Sequence, residues 1–255
     1  MLGAWDPAPL VLGAAGLALV RFGHAFVRLR RRGRSDHAGW DRAALFAAGL
    51  ALATLALVSP LDAASDRFLS AHMLQHVLLG DAAPALLLVS VRGPLLAFVL
   101  PARLGRLVAR LESLPAWAAV AIWAATLAAW HLPAAYDLAL AHAPVHELEH
   151  ASFLATGLLV WTQLLDPARR RRLSVDARLA IAGALFGLGQ LLSDVLFLAG
   201  PLYPHYAGNA GDQQLAGLVM MVEQSLALGL FAALVLRGRL RVRPLRRAAP
   251  LEATA

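Results

Sequence analysis

A chain of 255 residues that is 59% hydrophobic and only 15% charged, with a mean hydropathy of +0.63, is too apolar for an ordinary soluble domain and suits a polytopic membrane protein. The absence of cysteine excludes disulfides, thiolate zinc sites, iron–sulfur clusters and Cys-based copper carriers, so any metal must rely on His, Met or carboxylate. The net charge of +7 lies in short arginine runs between apolar segments, without interleaved aromatics or a nucleic-acid-binding motif, and reads as membrane topology with no nucleic-acid partner.

A hydrocarbon core about 30 Å thick needs about 20 apolar residues in a helix. Seven segments come near that length: Pro9 to Val27, Ala43 to Val58, Phe68 to Val91, Ala116 to Ala139, Val145 to Leu165, Leu179 to Ala199 and Gln213 to Leu236. The predicted fold is an all-α polytopic bundle of about seven transmembrane helices, a single domain over residues 1–236, with a basic cytoplasmic tail over 237–255. The connections alternate in charge. Arg28 to Arg42, Arg92 to Arg110 and Arg169 to Arg178 enrich one set together with the tail, whereas the other set holds only Arg67. Arginine marks the cytoplasmic side, so the N-terminus is expected outside and the C-terminus inside, a parity that seven spans satisfy. Met1 to Pro9 contain Asp6 and no basic residue, unlike the start of a cleaved signal peptide, so the first helix is expected to stay. Between Gly93 and Ser113, arginines at 103, 106 and 110 predict an amphipathic helix on the cytoplasmic face, with anionic membrane lipid as partner, and the tail reads likewise.

Sorting the histidines by side places seven of nine on the outer half: His72, His76, His131, His142, His146, His150 and His205. The third segment opens with His72-Met73-Leu74-Gln75-His76 and the fifth with His146-Glu147-Leu148-Glu149-His150. Histidines four apart share a helix face and can share one partner. If the third, fourth and fifth helices are neighbours, His72, His76, His131, His146 and His150 converge on one site of a kind that suits copper, zinc or iron. Both pairs sit at helix N-termini, whose partial positive charge opposes a cation; Glu147, Glu149 and nearby acids can offset it, which favours copper(I) over a bare divalent ion. The competing reading is an interfacial belt of histidines hydrogen-bonded to each other and to carboxylates.

Three acids lie deeper: Asp81, about 13 Å along the third helix from His72, Asp194 in the sixth and Glu223 in the seventh. Intramembrane carboxylates default to a functional role. These three fit either a proton or ion path below the histidines or protonated acids that bond neighbouring helices. Pro84 frees the carbonyl of Gly80 beside Asp81 and marks a polar, bendable spot.

HMLQH followed by Ala82-Ala83-Pro84, Trp130-His131-Leu132-Pro133 with Tyr136-Asp137, His146 to His150 ahead of Trp161, and Asp212-Gln213-Gln214-Leu215-Ala216-Gly217 ahead of Met220 run in order. This set resembles the CtaG-like family of assembly factors for caa-type cytochrome c oxidase. The resemblance implies a multi-pass protein of the cytoplasmic membrane, not an enzyme, that helps mature a haem–copper oxidase at its copper step, with oxidase subunits as partners. It marks His72, Gln75, His76, His131, His150 and Asp212 as signature positions. Gly80 and Asp81 depart from the apolar or Met residues expected after HMLQH, which argues against sulfur ligation along the third helix. The leading reading is copper bound at the outer histidines and passed to a nascent oxidase subunit. A b-type cytochrome with haem between paired histidines and an ion-coupled transporter using Asp81, Asp194 and Glu223 are the alternatives.

Overall fold

The structure is a computed structural model that describes residue 5 and residues 8–170, 172–206 and 210–241; the stretch around Asp6 and the basic tail beyond Arg241 lie outside the described residues. All regular structure among these residues is helical. In chain order the helices are α1 (Pro9–Arg31), α2 (Trp40–Val58), α3 (Pro60–Ser65), α4 (Leu69–Val77), α5 (Ala83–Ser90), α6 (Pro94–Val99), α7 (Ala102–Leu111), α8 (Ala116–Trp130), α9 (Pro133–Ala141), α10 (Ala143–Leu165), α11 (Val175–Leu198) and α12 (Ala210–Arg241). A π-helical turn, Leu78–Ala82, joins α4 to α5.

Five helical stretches are long and apolar enough to cross a membrane: Pro9–Arg31, Ser35–Val58, Leu69–Ser90, Val175–Leu198 and Ala210–Gly238. A sixth arises if α7 and α8, bent by 97° at their junction, are counted together. The protein is therefore a multi-pass membrane protein, with two departures from the seven expected segments. Ala116 to Ala139 is not one helix: it breaks at His131–Leu132, because Pro133 cannot donate to the preceding turn and instead occupies the first position of α9. The fifth segment forms a helix of 23 residues, long enough to cross, but His146, Glu147, Glu149, His150, Thr156 and Gln163 make it less apolar than the five spans. The amphipathic stretch forms two helices, α6 and α7, and α7 buries none of its residues.

The connections sort to two ends, in step with the alternation of charge. At the arginine-rich end, the N–H of Gly93 donates to the carbonyl of Pro167 at 2.8 Å, Arg42 Nη1 donates to the carbonyl of Arg92 at 2.6 Å, and Arg170 pairs with Glu112 at 3.2 Å. At the opposite end, Tyr206 donates to the carbonyl of Ser65 and Tyr203 to that of His131, so the connections after α2, α8 and α11 meet.

The most buried long helix is α10, which packs against α8, α9, the π-turn and α5. Its close approach to the π-turn requires glycine: a Cβ on Gly157 would lie 2.0 Å from the Gly80 carbonyl oxygen. Pro84 sits four residues after Gly80, where its ring crowds that carbonyl, and the widened turn is the local result. Beyond the turn, Leu88 joins Val160, Trp161, Leu164 and Leu185 in an apolar cluster. These contacts set the register in which the histidine faces of α4 and α10 oppose each other.

Candidate metal centre

The N-terminus of α4 carries no cap from its own sequence. Asp212, in the first turn of α12, serves instead: its carboxylate accepts from the N–H of Leu69 at 2.6 Å, from the N–H of Ser70, and from the Ser70 hydroxyl. A carboxylate there offsets the positive end of the helix dipole directly beneath the histidines. Gln75, between the two histidines in sequence, turns away from them; its Nε2 donates to the Ala56 carbonyl at 2.7 Å and to Asp62 Oδ1 at 2.6 Å, tying α4 to α2 and α3.

With α4 anchored, its histidines stack against those of α10. Ring centroids are 4.3 Å apart for His72–His76 and for His146–His150, 5.1 Å for His72–His146 and 5.6 Å for His76–His150. Glu149 enters between the two helices with its side chain fully buried, Oε2 3.7 Å from His72 Nε2 and Oε1 3.4 Å from His76 Nε2. These are ion-pair distances, too long for hydrogen bonds. Accordingly both ring nitrogens of His72 and of His76, Nε2 of His146 and of His150, and both oxygens of Glu149 are buried without a hydrogen-bond partner. Two sets, His72 with His146 and His150, and His72 with His76 and Glu149, each bring one ligand atom per residue within 4.8 Å of the others.

His131, at the C-terminal end of α8, borders this group with its ring 6.2 Å from that of His76. Its Nδ1 donates to the Leu127 carbonyl at 2.8 Å, and its Nε2 lies 3.3 Å from Met73 Sδ. All three tyrosines of the chain gather beside His72. Tyr136 lies 4.9 Å from the His72 ring, Tyr203 packs on Tyr136 at 4.4 Å, and Tyr206 is 3.4 Å from Tyr136 between hydroxyls. Burial pushes the Tyr203 hydroxyl upward and that of Tyr206 to about 12, so both stay neutral donors near pH 7.

The remaining candidates lie elsewhere. His142 and His205 are exposed, and His205 bonds the Asp66 carbonyl. Asp137 is half-buried on α9, outside both converging sets. Trp161 Nε1 donates to Asp81, and Glu223 of α12 lies beside that carboxyl with its Oε2 buried and without a hydrogen-bond partner. A small cavity with room for about one water, lined in part by Gly80, Asp81, Trp123, Trp161 and Gln224, adjoins them. Asp194 does not join this pair; it is exposed on α11, because that helix turns the neighbouring Ser193 inward instead.

Two participants escaped the sequence reading. Glu149 was visible only as a charge to offset a dipole, although it lies three residues after His146 and so on the same face. Met73 was hidden inside HMLQH, where only the contact with His131 gives its sulfur a direction.

Fold and site together define a class: an all-helical, multi-pass membrane protein with a buried imidazole–carboxylate cluster at one end of the bundle. The family model described as cytochrome c oxidase caa3 assembly factor (Caa3_CtaG) matches residues 20–241. The chain belongs to that family, as the ordered motifs implied. No curated protein and no solved structure matches it.

Proposed function

We propose that this chain is a seven-span protein of the cytoplasmic membrane, N-terminus outside and C-terminus inside, that binds copper(I) as cargo at the His72, His76, His146, His150 and Glu149 cluster. It delivers the ion to a nascent subunit of a haem–copper oxidase, without catalysing a reaction. The observation that carries this reading is the set of buried, unpartnered ligand atoms on those five residues. A polar atom taken out of water without a partner costs about 1–3 kcal/mol, and so many at one point are best accounted for by a shared ligand. Imidazole nitrogens with one carboxylate suit a first-row ion, and a monovalent one adds least charge to a site between helix N-termini. Glu149 and the Asp212 cap supply the counter-charge.

The rings stand 4.3 to 6.1 Å apart in mutual contact, a spacing that suits a small ion better than a haem macrocycle. The amphipathic α7, bent from α8 and bare of buried residues, is the part that rests on anionic lipid. The test is a strain carrying His72→Ala/His76→Ala: oxidase activity should fall to near background while the variant still reaches the membrane. Full oxidase activity in that strain would contradict the proposal.

A further inference from the structure

We infer that Met73 and His131 form a second, sulfur-containing station for a soft monovalent cation, beside the imidazole–carboxylate cluster and distinct from it. The inference rests on the copper reading above and extends it. Met73 is fully buried and His131 nearly so, with Sδ and Nε2 3.3 Å apart. The partner of His131 Nδ1 is a backbone carbonyl, which can only accept, so Nδ1 carries the proton and Nε2 of the neutral ring presents a lone pair. That lone pair points at a thioether, another electron-pair donor. No hydrogen lies between them to make the contact a bond, and the arrangement is satisfied by an electron-pair acceptor. With metal–nitrogen and metal–sulfur lengths of about 2.0 and 2.3 Å, two ligands on one ion stand roughly 3.3–3.9 Å apart, the range in which this pair already sits.

The station is built rather than incidental. Leu127 holds the His131 ring through Nδ1, and Tyr203 donates to the His131 carbonyl at 3.0 Å, the kind of outer support that orients a ligand. Thioether with imidazole selects copper(I) over zinc and over hard cations. Met73 is one residue from His72 and therefore turned about 100° around α4, which carries its sulfur to the α8 side. The His76 ring stands between the stations, 5.6 Å from His150 and 6.2 Å from His131. Exchange of one imidazole for one thioether shifts a monovalent ion between them with no change of oxidation state, so no electron donor or acceptor is required.

The test uses the full chain in detergent, titrated anaerobically with copper(I) and, separately, with zinc(II). Copper should bind at two per chain and zinc at one. Copper-edge X-ray absorption should show a sulfur neighbour, which in a chain without cysteine must come from methionine. Met73→Leu, which nearly conserves volume, should lower copper to one per chain, remove the sulfur neighbour and leave zinc unchanged. Selenomethionine-labelled wild-type protein checks the same point without a variant, since selenium should then appear beside copper. Copper and zinc binding equally with only nitrogen and oxygen neighbours would overturn this inference alone; a wild-type chain that binds no copper would overturn the reading beneath it.

Discussion

The third span holds two polar regions, one ahead of the π-turn and one within it, and they treat their polar atoms differently. Ahead of the turn, His72 and His76 face His146, His150 and Glu149 with nitrogens and oxygens that bond nothing in the chain. Within the turn, the Asp81 carboxyl accepts from the Trp161 indole and neighbours Glu223. Both regions are polar in a membrane and both draw on α10. Groups that satisfy one another hold helices together; groups kept apart at ion-pair distance are prepared for something else. The histidine region therefore reads as a receptor and the Asp81 region as a clasp.

The comparison breaks most visibly at the receptor. His72→Ala/His76→Ala should empty the cluster, leaving in purified protein no more than the one copper held beside Met73 and His131, because it removes ligands from both converging sets. Glu149→Gln keeps the shape and removes the charge; metal affinity should fall by about 10- to 100-fold, the usual effect of losing a carboxylate that orients or supports imidazole ligands, with thermal stability held. The clasp should behave in reverse. Asp81→Leu leaves the Trp161 N–H without its acceptor and should cost about 1–3 kcal/mol, read as a lower unfolding temperature in detergent, while copper content stays at the wild-type level. If Asp81→Leu empties the protein of copper yet leaves it folded, the division between receptor and clasp is wrong. The smallest effect is expected from Asp212→Ala, where loss of a cap on α4 should cost about 1 kcal/mol and weaken metal binding only slightly.

Much of this arrangement was legible before any coordinates, for identifiable reasons. Arginine runs alternate with apolar segments because charge is confined to the ends of membrane helices, and the two sets of connections do gather at two ends. His72/His76 and His146/His150 announce a face through their spacing of four. What stayed hidden depends on neighbours distant in sequence. Asp212 caps α4 across 143 positions, and no local pattern links it to Leu69. Gln75 looks like a member of the histidine motif but bonds α2 and α3, since its side chain projects from another side of α4. Asp194 counted with Asp81 and Glu223 by depth alone, and the rotation of α11 that exposes it cannot be read from hydropathy. The break at His131 was concealed by composition, because the apolar run continues through Pro133 to Ala139.

The central claim is that the histidine cluster receives copper. The most direct measurement is metal analysis together with a visible spectrum on one sample of the purified full-length protein after copper(I) loading. The account predicts retained copper and no Soret band. A strong Soret band that shifts on reduction, or a folded protein that retains no copper, would contradict it.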